Sequence, residues 1–292
     1  MTTDSILKNA KDEELGIAVQ TNLFALFRAM SAMPNSQIEE TAKLSRHLVS
    51  PTNPMYKGVW GTNLAPDEIE TAIDESIDWF KSRGAPFFFW WTGPNTKPDD
   101  IGAHLTAHGL IDMEGQSKEM AGNIISTASG APGMIADLRK MNESVIAKAP
   151  QGFEMNDVQN EKDLQDFKQV LIDGYDIPAP MADGWVQAAH EFGIGRTPWR
   201  MVLGRLNGEP AGTNVIFNGA GVAGVYGIAV VPSARGKGIG AAITLKPLLD
   251  ARDKDGYNYA VLFSTEMGAP VYERIGFRMT DVRINRYLWR NG

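Results

Sequence analysis

None of the 292 residues is cysteine. That absence excludes disulfides, a thiolate nucleophile and any zinc site built on sulfur. Histidine is scarce as well, with four in the chain. His104 and His108 are spaced as zinc ligands on a helix are, but Leu105 stands where H-E-x-x-H needs glutamate. A solvated helix face is the expectation, and no metal is assigned. Basic residues are in deficit: 28 Lys and Arg against 35 Asp and Glu leave a net charge of −7. That balance argues against nucleic acid and anionic membrane as partners, and modestly favours amine-bearing ones. No apolar run reaches the roughly 18 residues that a membrane span requires. The start, Met1-Thr2-Thr3-Asp4, shows no signal-peptide pattern, so a cytoplasmic protein is expected. Composition is otherwise that of a globular protein, 43% hydrophobic and 22% charged, with length enough for two domains.

What the chain does carry is a glycine-rich junction, Val230-Val231-Pro232-Ser233-Ala234-Arg235-Gly236-Lys237-Gly238-Ile239-Gly240-Ala241-Ala242-Ile243. Ahead of it, Val222 to Val231 has the profile of a buried strand. Behind it, Ile239, Ala242, Ile243, Leu245, Leu248 and Leu249 share one helical face. A strand that turns through glycines into a helix leaves several backbone N–H groups aimed at one spot, at the positive end of the helix dipole. Such a place suits phosphate. Arg235 and Lys237 add charge, and the missing side chains permit close approach to the backbone. The dinucleotide fingerprint is not met, because the spacing is G-x-G-x-G and the next acid, Asp250, falls inside the helix. Nor is a P-loop, because no Ser or Thr follows Lys237. Alone, the glycine triplet also reads as a flexible turn.

The order R-G-x-G-x-G after a strand ending in Ile228-Ala229-Val230 resembles the coenzyme A pyrophosphate loop of the GNAT acyltransferase superfamily. Downstream come an apolar strand, Tyr257 to Phe263, then Ser264-Thr265-Glu266-Met267-Gly268-Ala269-Pro270-Val271-Tyr272-Glu273-Arg274-Ile275-Gly276-Phe277. A strand, a short helix bearing Tyr272 and a closing Gly-Phe resemble the end of a GNAT domain. The resemblance runs from about Gly152 to the end of the chain. It implies an α/β fold (α+β, a twisted mixed sheet flanked by helices) and acetyl-CoA as co-substrate.

The first half repeats the same order without the loop. It reads helix, Gly84, the strand Phe87-Phe88-Phe89-Trp90-Trp91, Gly93-Pro94, short helix, Gly109-Leu110; the second half reads helix, Gly256, strand, Gly268-Ala269-Pro270, short helix, Gly276-Phe277. In the first copy the turn is Trp60-Gly61-Thr62-Asn63-Leu64-Ala65-Pro66-Asp67, with no glycine triplet, no cation, and acids that would repel phosphate. It resembles a degenerate GNAT repeat, a tandem layout known in that superfamily. Residues 1–150 are therefore expected to form a degenerate domain, and residues 151–292 the coenzyme-binding one, with the boundary at Pro150-Gln151-Gly152. Glu13 to Met33 reads as a helix, Ile38 to Val49 fits neither period, and Ile125 to Gly133 reads as a small-residue loop. Asn160 is a candidate N-cap, Asn207-Gly208 a hairpin turn, and Pro247 is expected to kink its helix.

The resemblance implies a set of site residues. The amides of Gly236, Lys237, Gly238, Ile239, Gly240 and Ala241, with Arg235, would hold the pyrophosphate. Ile228, Ala229 and Val230 would pair with the pantetheine arm, and the amide of Ala229 or Val230 would meet the thioester oxygen. Thr265 would touch the coenzyme, and Tyr272 would protonate the departing thiolate. Ala260 stands where some relatives carry a glutamate base, so Glu266, Tyr226, an ordered water chain and the acidic acceptor wall become the candidates. Tyr175, Asp176, Met181, Trp185 and Tyr226 are candidate acceptor-pocket residues, although ordinary core packing explains each aromatic equally. The expected reaction is direct transfer of an acetyl group to a primary amine on a small molecule or protein. A homodimer is one candidate assembly, and the sequence does not fix the oligomeric state. A non-catalytic acyl-CoA sensor or scaffold and a nucleotide-binding protein are the competing readings.

Overall fold

The computed structural model describes residues 5–49, 57–113, 131–264 and 268–291. The chain divides into two compact units that interleave in sequence: Met1–Leu26 with Pro132–Asp281, and Phe27–Ala131 with Val282–Gly292. They do not coincide with the expected halves 1–150 and 151–292. The reason is strand pairing between residues far apart in the chain, which leaves no local signature.

In the first unit, β6 (Ala131–Asp137), β7 (Phe153–Asp157), β8 (Arg200–Leu206), β9 (Glu209–Gly219), β10 (Val222–Val230) and β11 (Tyr259–Phe263) lie in the order β6-β11-β10-β9-β8-β7. Among the described residues only β10 and β11 are parallel. β6 pairs antiparallel with β11, from Tyr259↔Asp137 to Phe263↔Gly133, which draws it into this unit. The stretch Ala131-Pro132-Gly133, expected in a loop, thus belongs to a strand. Gly133 allows this because a Cβ there would stand 3.0 Å from Val19 of α1 (Asp12–Met30). Two helices, α4 (Glu161–Tyr175) and α5 (Ala179–Phe192), join β7 to β8. Asn160 caps α4 as expected, accepting the Asp163 amide at 3.0 Å.

The crossover between the parallel strands is α6 (Ile239–Asp253), followed after β11 by α7 (Ala269–Ile275) and the start of β12 (Arg278–Arg290). Leu245, Leu248 and Leu249 of α6 meet Ala223, Val225, Ala260, Leu262, Tyr272 and Ile275 in one buried cluster. α6 runs unbroken through Pro247, where a kink or displaced end was expected. Proline has no N–H to give the carbonyl four residues back. Asn214 of β9, fully buried, supplies the missing donor: its Nδ2 lies 2.7 Å from the Ile243 carbonyl.

The second unit repeats that plan. β1 (Gln37–Glu40), β2 (Ser45–Leu48), β3 (Lys57–Trp60), β4 (Phe87–Thr92) and the later part of β12 lie in that order, with β5 (Ile111–Asp112) also on β12. The undecided stretch 38–49 thus supplies two short strands. Among the described strands of this unit only β3 and β4 are parallel, joined by α2 (Ile69–Lys81), and α3 (Ile101–Ala107) follows. The aromatic strand β4 is buried because Phe88 and Trp90 enter a core with Phe80, Ile73 and Trp289. Parallel pair, crossover helix and short helix recur in both units, as the internal repeat implied. Among the described residues no helix is long and apolar enough to cross a membrane.

Two outcomes follow from these contacts. A fragment beginning at Gly152 lacks both β6 and α1, so β11 loses a ladder partner and the fragment is expected in the insoluble fraction. A soluble, monodisperse fragment by size-exclusion chromatography would show that neither is required. Asn214→Val should cost about 1–3 kcal/mol in urea unfolding, because it strands a buried carbonyl. In a Pro247→Leu background, where the helix regains its own donor, the same change should cost measurably less; equal costs would mean the pair is not coupled.

Candidate functional site

β10 and β11 pair from Ala223↔Ala260 to Val225↔Leu262, and there the ladder ends. β10 continues to Val230, still paired with β9 but with an irregularity between Tyr226 and Ala229. The next amide, Val231, donates to Ala211 of β9 at 3.1 Å. Backbone groups alternate sides along a strand, so the amide and carbonyl of Val230 face away from β9, into the gap that β11 has left. The Val230 carbonyl accepts Nε of Arg235 at 3.1 Å, which confirms that direction. By the same alternation the Ala229 amide is directed towards β9. Of the two amides considered for the thioester, the geometry favours Val230.

From this strand end the chain makes one turn of 3-10 helix, Pro232–Ala234, and enters the glycines. Gly236 (φ +74°) and Gly238 (φ +83°) both have left-handed backbones. Gly238 also stands where a Cβ would lie 3.0 Å from the Lys148 carbonyl, so glycine is required there twice over. The Ala242 amide bonds the Gly238 carbonyl at 3.1 Å and opens the helical ladder. The amides of Ile239, Gly240 and Ala241 are then the donors that an α-helix leaves without internal acceptors. At Gly240 a Cβ would find nothing nearer than Val230 Cγ2 at 3.7 Å and Val271 Cγ1 at 3.8 Å. The start of α6, the end of β10 and α7 therefore converge on one place. Among the described residues, orphan amides, an uncrowded first helical turn and an unpaired strand edge fit a diphosphate followed by an amide-bearing arm. The loop's two cations are turned onto main chain: Lys237 Nζ lies 3.0 Å from the Ser233 carbonyl, and Arg235 Nη2 2.7 Å from that of Gly174.

Tyr272 of α7 comes to this convergence, 8% exposed, with its ring edge-on to Phe277. Burial pushes its phenol well above the ordinary value, and among the described residues no hydrogen bond reaches its hydroxyl. Tyr175, half-buried at the end of α4, is raised first by burial and then by the nearby Tyr272. Beside it Gly174 packs onto the strand edge; a Cβ there would stand 2.8 Å from Ala229 Cβ and 3.2 Å from the Val230 nitrogen.

Other candidates fall into different roles. Tyr226 donates its hydroxyl to Asn22 Oδ1 at 2.6 Å, and burial raises its pKa, so it remains a protonated donor at neutral pH rather than a base. Asn22, on α1 and fully buried, also donates to the Gly219 carbonyl at 2.7 Å. Gly224 makes room for it, since a Cβ would fall 1.8 Å from Asn22 Oδ1. Nothing in the sequence pointed to Asn22 except a polar residue interrupting the apolar stripe of α1. Trp185 sits half-buried on α5, edge-on to Trp199 with ring centroids 5.5 Å apart and its Nε1 towards Gly227. Asp176 is the exposed, left-handed cap of α4, and Met181 lies half-buried in the first turn of α5. Ala260 is wholly buried in the core and Ile228 packs against it. Thr265 and Glu266 lie outside the described residues.

The equivalent gap in the second unit is filled. β3 and β4 pair at Gly58↔Phe89 and Val59↔Trp90. Past that point the Lys97 amide donates to Thr62 at 2.9 Å and the Leu64 amide to Lys97 at 3.0 Å, so main chain occupies the space between the strands. Where α6 offers orphan amides, the Ala65 amide here already bonds the Glu68 carboxylate at 2.9 Å. His104 and His108 both approach Glu70, at 2.7 and 3.2 Å. Among the described residues no cluster of three or more His, Asp or Glu could hold a metal ion. A cleft of about 300 Å³, walled by Asp157, Arg200, Asn218 and Asp255, opens near the other end of α6 and shares no residue with the glycine loop.

Residues 199–287 match the family model described as an acetyltransferase (GNAT) domain. Among solved structures, a GCN5-related N-acetyltransferase from Kribbella flavida is similar over 94% of this chain and 96% of its own, at 17% identity and a TM-score of 0.68. A tandem GNAT protein from the clavulanic acid biosynthesis pathway is similar over 98% of both chains, at 12% identity and a TM-score of 0.59. A GCN5-related N-acetyltransferase from Sphaerobacter thermophilus covers 88% of this chain and 77% of its own, at 14% identity and a TM-score of 0.57. Among curated proteins none matches.

Proposed function

We propose that this chain, which carries an acetyltransferase (GNAT) domain at residues 199–287 and has the fold of a tandem GNAT protein, is an acetyl-CoA-dependent N-acetyltransferase acting on a primary amine. The observation that carries the reading is the strand edge at Val230 opening beside the orphan amides of Ile239 to Ala241. Bound acetyl-CoA would supply an activated acetyl thioester. The amides from Gly236 to Ala241 would hold its diphosphate, and the end of β10 from Ile228 to Val230, where the Val230 amide faces outward, would pair with its amide-bearing arm. The Val230 amide is placed to donate to the carbonyl oxygen as negative charge develops there during attack by the amine. No enzyme nucleophile is required, which suits a chain without cysteine. Tyr272, which burial keeps protonated at neutral pH, is the proposed proton donor to the leaving thiolate. Glu266 is the proposed base for the incoming amine. Tyr175, Asp176 and Trp185 form the proposed acceptor wall, and a cytoplasmic setting belongs to the same reading.

Gly240→Asp tests the coenzyme site without straining the fold. The position is open, and a carboxylate in the first turn of α6 favours the helix while repelling a diphosphate. Coenzyme A affinity by calorimetry should fall on the order of 10²-fold with no loss of thermal stability. Native affinity in that variant would put the coenzyme elsewhere.

Tyr272→Phe should lower kcat for thiol release from acetyl-CoA and an amine by about 10²–10⁴-fold, with coenzyme A affinity retained. Burial raises the phenol, so the wild-type pH–rate profile should show no tyrosine-dependent fall below about pH 10. Thiol release on an amine panel that is equal in wild type and variant would remove Tyr272 from the mechanism.

A further inference from the structure

The sequence suggests that Arg235 serves the phosphate, yet its guanidinium is committed elsewhere. Nε donates to the Val230 carbonyl at 3.1 Å and Nη2 to the Gly174 carbonyl at 2.7 Å. The first acceptor is the outward-facing carbonyl of the strand edge. The second lies in the last turn of α4, where helix carbonyls lack internal donors and the dipole favours a cation. Gly174 lets the two acceptors come together, since a Cβ on it would press on Ala229 Cβ and the Val230 backbone. A rigid planar fork with several donors can span two such carbonyls; a lysine ammonium on a flexible stem is a poor substitute.

We infer that Arg235 is a positioning residue that bolts the end of α4 to the splayed strand, and so sets the acceptor wall rather than the grip on phosphate. The wall follows directly from that bolt: Tyr175 and Asp176 are the next two residues, and Pro178 opens α5 with Trp185. Phosphate recognition then rests on the main-chain amides of the loop, whose geometry Gly236 and Gly238 secure. The inference relies on the proposed function for the identity of the two ligands, but the bolt itself does not.

The test compares Arg235→Gln and Arg235→Lys in the full-length protein. Coenzyme A binding by calorimetry is expected to stay within about fivefold of wild type in both, the effect of one exposed charge. The KM of the amine giving fastest thiol release should rise about tenfold or more in both, because displacement of a positioning element is costly. Amide hydrogen exchange across Gly174 to Trp185 should quicken in both, with or without coenzyme A. The inference is overturned if Arg235→Lys restores wild-type behaviour while Arg235→Gln loses coenzyme affinity tenfold, or if exchange in that segment is unchanged. Failure of the wild type to bind coenzyme A or release thiol would instead sink the proposed function, leaving the exchange measurement to decide on Arg235.

Discussion

Backbone hydrogen-bonding groups must find partners, and the two units answer that demand in opposite ways at the same topological position. Between parallel β10 and β11 the ladder stops after Val225, and among the described residues the edge at Val230 is met by Gly174 and the Arg235 side chain. Between β3 and β4 the protein's own main chain, at Thr62, Leu64 and Lys97, takes up the corresponding groups. An open edge of this kind is a liability in a fold unless something binds there. The same opening places strand backbone next to the first turn of α6, where donors are again left over. Recognition of a ligand at this place draws on main-chain geometry, which explains why glycines crowd the loop.

The surroundings are held by a few polar side chains that complete main-chain bonding the secondary structure leaves unfinished. Asn214 replaces the donor that Pro247 removes from α6, so the helix that presents the loop stays whole. Asn22 reaches from α1 to the Gly219 carbonyl and at the same time holds the Tyr226 hydroxyl. Arg235 does the equivalent work for the end of α4. Each acts between elements distant in sequence, and in a buried setting a lost partner leaves a costly orphan. The unit that carries the glycine loop therefore depends on residues as early in the chain as Asn22. That dependence accounts for a compact unit assembled from two separate stretches of sequence.

Electrostatics divide along the same line. In the glycine loop no acid intervenes between Val230 and Asp250, and helix-terminal amides stay available. In the other unit Glu68 has already engaged the Ala65 amide at the comparable turn. A carboxylate of the chain thus satisfies the donor that an anionic ligand would need. The buried phenol of Tyr272 fits this contrast: the low-dielectric setting that stabilises its neutral form makes it a proton holder.

The sequence alone determined what depends on short-range chemistry. The glycine spacing dictated a strand–loop–helix with donors at its bend, Asn160 dictated a cap, Asn207-Gly208 a hairpin, and the glycine-punctuated order of elements a repeated plan. Tertiary structure decided everything that depends on pairing across long separations. It drew β6 to β11, turned Val230 rather than Ala229 towards the opening, tied Tyr226 to Asn22 and Arg235 to Gly174, and carried α6 through its proline. Local pattern encodes what a segment can become, because torsional preference and periodicity act within a few residues. Which carbonyl a side chain will meet is set by strand register and helix placement, and those exist only once the chain has closed on itself.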